Sequence, residues 1–373
     1  MSMSDPSESV PSGPWRWFSI LFLTMLLVAA AILITEGLVR ARQWLKSGTF
    51  SGYADLYVND ASLGLPVLRP LAHVGNINVN SKGFRGPELA EPKPEDVVRI
   101  AFLGASTTFC AEVSGDSAVW PNQVVEILRQ RFPATRFDFV NGGVPGYTLA
   151  SSRRQLEKSI LPMKPDLIVV LPGTNDLSGE VRDMAIAQGL AKPSSPADQS
   201  WLARRSLLWE LLAKNLRVIE AQHSAGQAEG ARLKLNATAL GGEFGPNLAA
   251  VLKEAVAHSL RVAVATFPTQ LRRQQSADEQ RRASVSAFVY MPFMSIDGLL
   301  AGYARHNEIV RQLAPAQGAL LIEAENAIPG DPAYFVDTVH FTDKGSRAMA
   351  EIVAAALAAD PATVRLIESR RQR

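Results

Sequence analysis

Cysteine is almost missing from this chain. One thiol, Cys110, in 373 residues excludes an internal disulfide, so cysteine usage cannot report the redox compartment. Histidine is scarce as well, with five residues. No His-x-x-x-His or His-Glu-x-x-His spacing occurs among them, so metal-dependent deacetylation is disfavoured and no metal site is expected. A surplus of one charge is absent too: 38 Lys and Arg face 36 Asp and Glu. The small local excess at Arg370, Arg371 and Arg373 is too little for a nucleic-acid footprint. No Gly-x-Gly-x-x-Gly follows either of the first two strand candidates, which removes the dinucleotide fingerprint, and no cofactor is expected. There is no internal repeat and no long low-complexity tract.

What is present begins with one long apolar run. Residues 18–34 read FSILFLTMLLVAAAILI without a charge and span roughly 26 Å as a helix, close to the hydrocarbon core of a bilayer. A transmembrane helix or uncleaved signal anchor is expected over 17–36. The rival is a cleavable signal peptide, but the small residues Ala29-Ala30-Ala31 lie inside the run rather than after it. The Ser- and Pro-rich start, 1–16, is expected to be disordered. Arg16 flanks one end of the run and Arg40, Arg42 and Lys46 the other, so positive-inside counting places the remaining chain in the cytoplasm.

An apolar content of 47% suffices for one large domain. Residues 37–96 carry turn formers and short apolar pieces, including Gly64-Leu65-Pro66 and Asn80-Ser81-Lys82-Gly83-Phe84-Arg85-Gly86, and read as a strand-and-loop lead-in. Near-continuous apolar strands then fall at 99–103, 137–141, 167–171, 261–267 and 319–323, as suits strands buried on both faces of a parallel sheet. Helical patterns at 118–131, 149–160, 248–258, 299–313 and 344–357 cover those faces. The alternation predicts an α/β fold, a doubly wound three-layer α/β/α sandwich over 97–360 with a mainly parallel five-stranded sheet.

Two stretches interrupt it, at 177–245 and 269–296. The first contains an amphipathic helix over 200–222, with Leu207, Leu208, Leu211, Leu212 and Ile219 toward one face, for which core packing is preferred over a membrane-surface or partner-binding role. The apolar piece Phe288-Val289-Tyr290-Met291-Pro292-Phe293-Met294 of the second could cover a cleft. Residues 361–373 read as a basic tail.

Four loops at strand ends or before a late helix hold the candidate chemistry, where open α/β sheets gather their ligand-binding loops. Strand 99–103 runs into Gly104-Ala105-Ser106-Thr107-Thr108, raising the Ser106 hydroxyl to the top of the sheet as a nucleophile; in isolation a helix cap at Ser106 or Thr107 explains it as well. The literal Gly115-Asp116-Ser117 is set aside, because no strand leads into it and Ser117 suits an N-cap for the next helix. Asn141-Gly142-Gly143-Val144-Pro145-Gly146-Tyr147 is a glycine-rich turn whose backbone can approach another group closely. Strand 167–171 leads to Gly173-Thr174-Asn175-Asp176, where an uncharged carboxamide suits a developing oxyanion, although the same four residues also make an ordinary turn. Asp337 and His340, three apart, let one loop hold an imidazole and its orienting carboxylate, with Thr342 or Asp343 as the cap of the helix beyond. His73, His223, His258 and His306 lack such an aspartate. Cys110, with no histidine near it in sequence, reads as a small buried hydrophobe rather than a catalytic thiol.

Taken together in this order, the loops resemble the SGNH hydrolase superfamily, also called GDSL-type esterases and lipases, over about residues 97–358. The resemblance implies a flavodoxin-like fold, Ser106 as nucleophile, His340 and Asp337 as base and orienting acid, and an oxyanion hole from Ser106, Gly146 and Asn175. The chain departs from the pattern at Ala105, where the family often has aspartate, a position not needed for proton transfer. The lead-in at 80–86 is similar to membrane-anchored bacterial members associated with cell-surface polysaccharide modification. That favours a periplasmic domain, against the charge count, and the outer side is the expectation adopted.

The implied reaction is hydrolysis of a carboxylic ester through an acyl-serine, with an acylated small molecule or carbohydrate ester as substrate and O-deacetylation as the leading case. Two alternatives are an O-acyltransferase using the same triad and a catalytically silent, membrane-tethered glycan-binding protein.

Overall fold

The computed structural model describes residues 14–47, 52–193, 206–225, 232–235 and 239–370. The polar start at 1–13, the first six residues of the helix expected over 200–222, and Arg371 and Arg373 of the tail lie outside the described residues.

Helix α1, Pro14–Ser47, contains the apolar run. The stretch Trp15–Leu45 is long and apolar enough to cross a membrane, as a signal sequence near an N-terminus also is, and its most apolar window is not buried against the protein. The helix continues well past the expected end at 36. Leu38, Arg40, Ala41 and Gln43 are good helix formers, and Glu36 and Arg40 pair at 2.7 Å one turn apart.

Two short antiparallel pairs follow, as the lead-in reading anticipates: β1 (Tyr57–Asp60) with β2 (Leu65–Leu68), and β3 (His73–Val74) with β4 (Ile77–Asn78). The lead-in residues Leu56, Leu68, Val74, Ile77 and Val79 pack on Phe109, Val144 and Tyr147 of the main domain.

The main domain runs β5 (Val97–Gly104), α2 (Ser106–Phe109), α3 (Trp120–Arg131), β6 (Arg136–Gly143), α4 (Leu149–Gln155), β7 (Leu167–Leu171), α5 (Thr174–Ala187), α6 (Leu207–Ala225), α7 (Phe244–Ala257), β8 (Arg261–Ala265), α8 (Ala277–Tyr290), α9 (Ile296–Ala316), β9 (Leu320–Ile322), α10 (Asp343–Ala359) and α11 (Pro361–Ser369). The sheet order is β6-β5-β7-β8-β9 and every pairing is parallel. All five strands match the expected positions. Strand β5 shows why the sheet is covered on both faces. Val98, Ile100 and Phe102 join one core with Trp120, Leu128, Val181 and Met349, while Ala101 and Leu103 join another with Leu149, Leu156, Leu248 and Val251. Alternate side chains point to opposite faces, and each large apolar side chain fully buried contributes ~1.5–3 kcal/mol.

The chain enters at β5, turns to β6 on one side and crosses to β7 on the other. The loops after β5 and β7 therefore diverge, which opens a crevice at their carboxyl ends.

Four expectations need correction. The segment 177–245 is not wholly an interruption: α5 starts at Thr174 and is a regular covering helix, burying Leu177, Val181 and Ala185 at four-residue spacing. Segment 269–296 contains α8, begun by a capping box between Ser276 and Glu279. Its apolar residues Phe288, Met291, Phe293 and Met294 are core residues rather than a cleft cover, with Tyr290 left exposed. The tail holds α11, whose Ile367 is buried. Finally, α6 does not pack as a core helix: it touches α8 and α1, yet Leu211, Leu212 and Ile219 stay exposed.

Candidate active site

The turn that carries Ser106, the expected nucleophile, is built by steric permission at a neighbouring strand. Helix α2 starts directly after β5, with Ala105 at its N-cap position and no side-chain cap, so the Ser106 hydroxyl is not used as a helix cap. It lies 2.8 Å from Nε2 of His340. The backbone of α2 settles against the end of β6 because Gly143 has no side chain: a Cβ there would stand 2.4 Å from the Phe109 nitrogen. Asn141, buried beside it, donates to the Thr108 carbonyl at 3.3 Å and accepts from the Gly143 amide at 3.0 Å.

His340 and Asp337 occupy one tight loop, as their spacing predicts. Nδ1 of His340 is 2.8 Å from Oδ2 of Asp337, and Oδ1 accepts from the Val339 and His340 amides, both at 2.9 Å. A proton on Nδ1, shared with the carboxylate, leaves Nε2 as the acceptor for the Ser106 hydroxyl. Burial works to raise the Asp337 pKa, but the hydrogen bonds and charge of His340, with the Val339 amide, outweigh it and hold the carboxyl below its ordinary value. The loop is pinned from behind by Thr338. Its hydroxyl donates to the Ala283 carbonyl at 2.5 Å and accepts from Ser286 Oγ at 2.8 Å and the Ala287 amide at 3.2 Å. Helix α8 thus braces the histidine loop. Thr342 caps α10 just beyond, accepting from the Gly345 amide.

Asn175 is the second residue of α5. One of its Nδ2 hydrogens goes to the Tyr147 carbonyl at 2.9 Å, which fixes the carboxamide against the turn carrying Gly146; a primary amide keeps a second N–H for another acceptor. Gly146 is exposed with φ +88° and open space where a Cβ would point, so it is the left-handed backbone rather than crowding that favours glycine. Its neighbour in this network is Asp176, whose Oδ1 accepts from the Leu149 amide at 2.9 Å. Burial pushes the Asp176 pKa up to about 7, the Leu149 bond opposing and the charge of Glu180 adding to it.

The literal Gly115-Asp116-Ser117 has a structural role. Asp116 accepts from Arg85 Nε at 2.7 Å and from Asn78 Nδ2 at 2.7 Å. Ser117 lies inside a 3₁₀ turn, Asp116–Ala118, and α3 begins only at Trp120 with Val119 at the cap position, so the expected N-cap role is not observed. Cys110 is buried, with its thiol pushed up to about 12 by that burial.

Hydrogen bonds therefore join Ser106, at the end of β5, to His340 and Asp337, and a separate one ties Asn175, at the end of β7, to Tyr147 beside Gly146. Sequence reading assigned no role to Arg85, Thr338 or Asp176. Arg85 stands in a motif already singled out, and Thr338 and Asp176 stand inside the two motifs they support.

A doubly wound sheet with a hydrogen-bonded Ser–His–Asp chain at its topological switch defines a serine hydrolase. Residues 102–348 match the model of the GDSL-like Lipase/Acylhydrolase family, and the chain belongs to that family, of carboxylic ester hydrolases of SGNH type. Among solved structures it is similar to Axe2, an acetylxylan esterase from Geobacillus stearothermophilus, at 17% identity over 72% of this chain and 94% of the other, with a TM-score of 0.40. The lipase/acylhydrolase from Enterococcus faecalis is similar at 16% identity over 70% and 95%, with a TM-score of 0.41. No curated protein sequence matches the chain.

Proposed function

We propose that this protein is a membrane-anchored serine esterase that removes acetyl or other small acyl groups from a cell-envelope carbohydrate by way of an acyl-Ser106 intermediate. The observation that carries the mechanism is the unbroken chain Asp337–His340–Ser106, with both links at 2.8 Å. His340 Nε2 takes the hydroxyl proton as Ser106 Oγ bonds to the ester carbonyl carbon. The carbonyl oxygen, now negative, is met by the amides of Ser106 and Gly146 and by Asn175 Nδ2. Collapse breaks the bond to the alcohol, which leaves with the proton from His340. Water then attacks the acyl-serine with His340 as base, releasing the acid and restoring the serine.

Three features support the carbohydrate substrate. Ser106, Asn175 and His340 are only partly buried and Gly146 is exposed, an open site that accepts an ester on an alcohol larger than the crevice. Helix α1 is suited to tether the domain at a membrane. The Asn80–Gly86 lead-in resembles envelope-modifying members, which also supports placing the domain on the outer side.

The test uses the purified full chain in detergent. Wild type is expected to hydrolyse p-nitrophenyl acetate and to release free acetate from an O-acetylated polysaccharide, and Ser106→Ala to do neither; equal activity in both proteins sinks the reading. Acetyl appearing on an added unacetylated glycan, without free acetate, identifies a transferase instead. A carboxyl-terminal tag that resists protease in spheroplasts until lysis contradicts the outer location.

A further inference from the structure

The one acidic residue of α1, Glu36, does not face water alone. The Glu36 carboxylate accepts from the Leu207 amide at 3.1 Å, the Leu208 amide at 2.9 Å and Ser206 Oγ at 2.9 Å. Ser206 Oγ in turn accepts from the Trp209 amide at 3.0 Å. These are the first amides of α6, which otherwise lack partners at a helix start, so a side chain of α1 closes the amino end of α6. Glu36 follows the uncharged run 18–34 after a single threonine, the point at which the chain leaves the hydrocarbon of a bilayer. Helix α6 therefore begins at the level where α1 leaves it.

The surface of α6 fits that level. Trp209, Leu212, Leu216 and Ile219 are spaced three, four and three apart, which puts them on one face. They are 43, 47, 64 and 50% exposed. Four large apolar side chains in line, within about 15 Å of helix, form a patch of the kind that marks an interaction surface rather than scattered surface apolarity. Among the described residues, the α1 and α8 side chains packed on α6 leave it uncovered.

We propose that this face of α6 lies in the boundary layer of the bilayer that holds α1, with Trp209 at headgroup depth and Leu212, Leu216 and Ile219 reaching the upper acyl chains. Lipid is the occupant because the patch is continuous with one: α1 exposes its own apolar side chains, among them Leu27, Ile32 and Leu33, and the Glu36 cap joins the two surfaces at the membrane edge. Tryptophan favours that interface, and an amphipathic helix lying in it buries its apolar face ~5–10 Å deep. The esterase domain is then held against the membrane at two points instead of swinging on a single stalk, which confines its reach to esters near the surface.

The test reconstitutes the full chain carrying Leu216→Cys in vesicles of phosphatidylcholine and phosphatidylglycerol and labels it with a thiol-reactive fluorophore. Cys110 is buried and its thiol is pushed up to about 12, so the new thiol is the one that reacts. Val256→Cys, on the exposed side of α7, supplies the aqueous reference. The Leu216 probe is expected to be quenched strongly by a doxyl group near the lipid headgroup and several-fold less than the Val256 probe by iodide. Iodide reaching both probes alike overturns the proposal. Protection from both quenchers also overturns it, because a protein then covers the face, and so does failure of the chain to float with the vesicles. Leu212→Cys repeats the measurement one turn away. Quenching does not depend on catalysis, so it fails or succeeds separately from the esterase reading.

Discussion

Arg85 donates through Nη1 to the carbonyl of Cys110 at 2.6 Å, and the Cys110 amide donates to the Ser106 carbonyl at 2.7 Å. A residue of the lead-in thus closes the turn that starts at Ser106. The same guanidinium bonds the Phe109 carbonyl at 2.9 Å, lies over the Phe109 ring at 5.2 Å and pairs with Asp116 at 2.7 Å. Its side chain is fully buried, while that of Asp116 is 22% exposed.

Arg85→Met is therefore expected to destabilise the domain by about 3 kcal/mol, the low end for breaking a buried pair because Asp116 retains some water. Arg85→Lys keeps the charge without the fork of donors and is expected to fall between. Thermal melts of the full chain in detergent check this. A loss below about 1 kcal/mol for Arg85→Met contradicts the bracing role, since removing the guanidinium takes a donor from the Phe109, Cys110 and Asn76 carbonyls and from Oδ1 of Asp116.

Asn175→Ala is expected to lower kcat by ~100- to 1,000-fold with little change in KM, the mark of a donor that acts on the developing oxyanion rather than on the bound ester. Steady-state kinetics with p-nitrophenyl acetate decide it. A rise in KM at constant kcat assigns Asn175 to ground-state binding instead.

Asp337→Asn is expected to lower kcat by roughly 10,000-fold, since the wrong imidazole tautomer is then favoured while the loop geometry is kept. Because the wild-type Asp337 pKa is held below its ordinary value, the carboxylate stays ionised below the usual range. Its contribution to stability is present above the unfolded pKa and is lost only as pH falls through the lowered one. The melting-temperature advantage of wild type over Asp337→Asn should accordingly persist at pH 5 and shrink toward acid, as melts across that range would record.

Asp176 carries the opposite sign. Pushed up to about 7 by burial, it is protonated in the fold over a pH range where the unfolded chain is ionised, so its contribution worsens as pH rises from about 4 toward 7. Asp176→Asn, which keeps an oxygen for the Leu149 amide, should melt near wild type at pH 4 and above it at pH 8. An equal difference at pH 4 and pH 8 contradicts the raised pKa.

The sheet was legible because buried parallel strands are written as plain apolar runs. All five were found, and with them the loops at their carboxyl ends. Ser106 was separated from Ser117 by strand context alone, and Asp337 with His340 by spacing. What escaped was written in long-range contacts. Helix α5 opens on Gly173-Thr174-Asn175-Asp176, a string that reads locally as a turn, and becomes helical because Leu177, Val181 and Ala185 find the sheet. The role of Arg85 depends on Asp116, 31 residues away, and that of Thr338 on α8, more than 50 residues earlier. The apolar face of α6 is visible in the sequence, but its exposure and its cap from Glu36 are properties of the fold.

The central claim, that Ser106 is the acylated residue, is tested most directly by treating the full chain with a fluorophosphonate and mapping the adduct by peptide mass spectrometry. One adduct on the peptide containing Ser106 is expected, present in Ser117→Ala and absent from Ser106→Ala together with ester hydrolysis. An adduct at Ser117, or hydrolysis that survives in Ser106→Ala, contradicts the account.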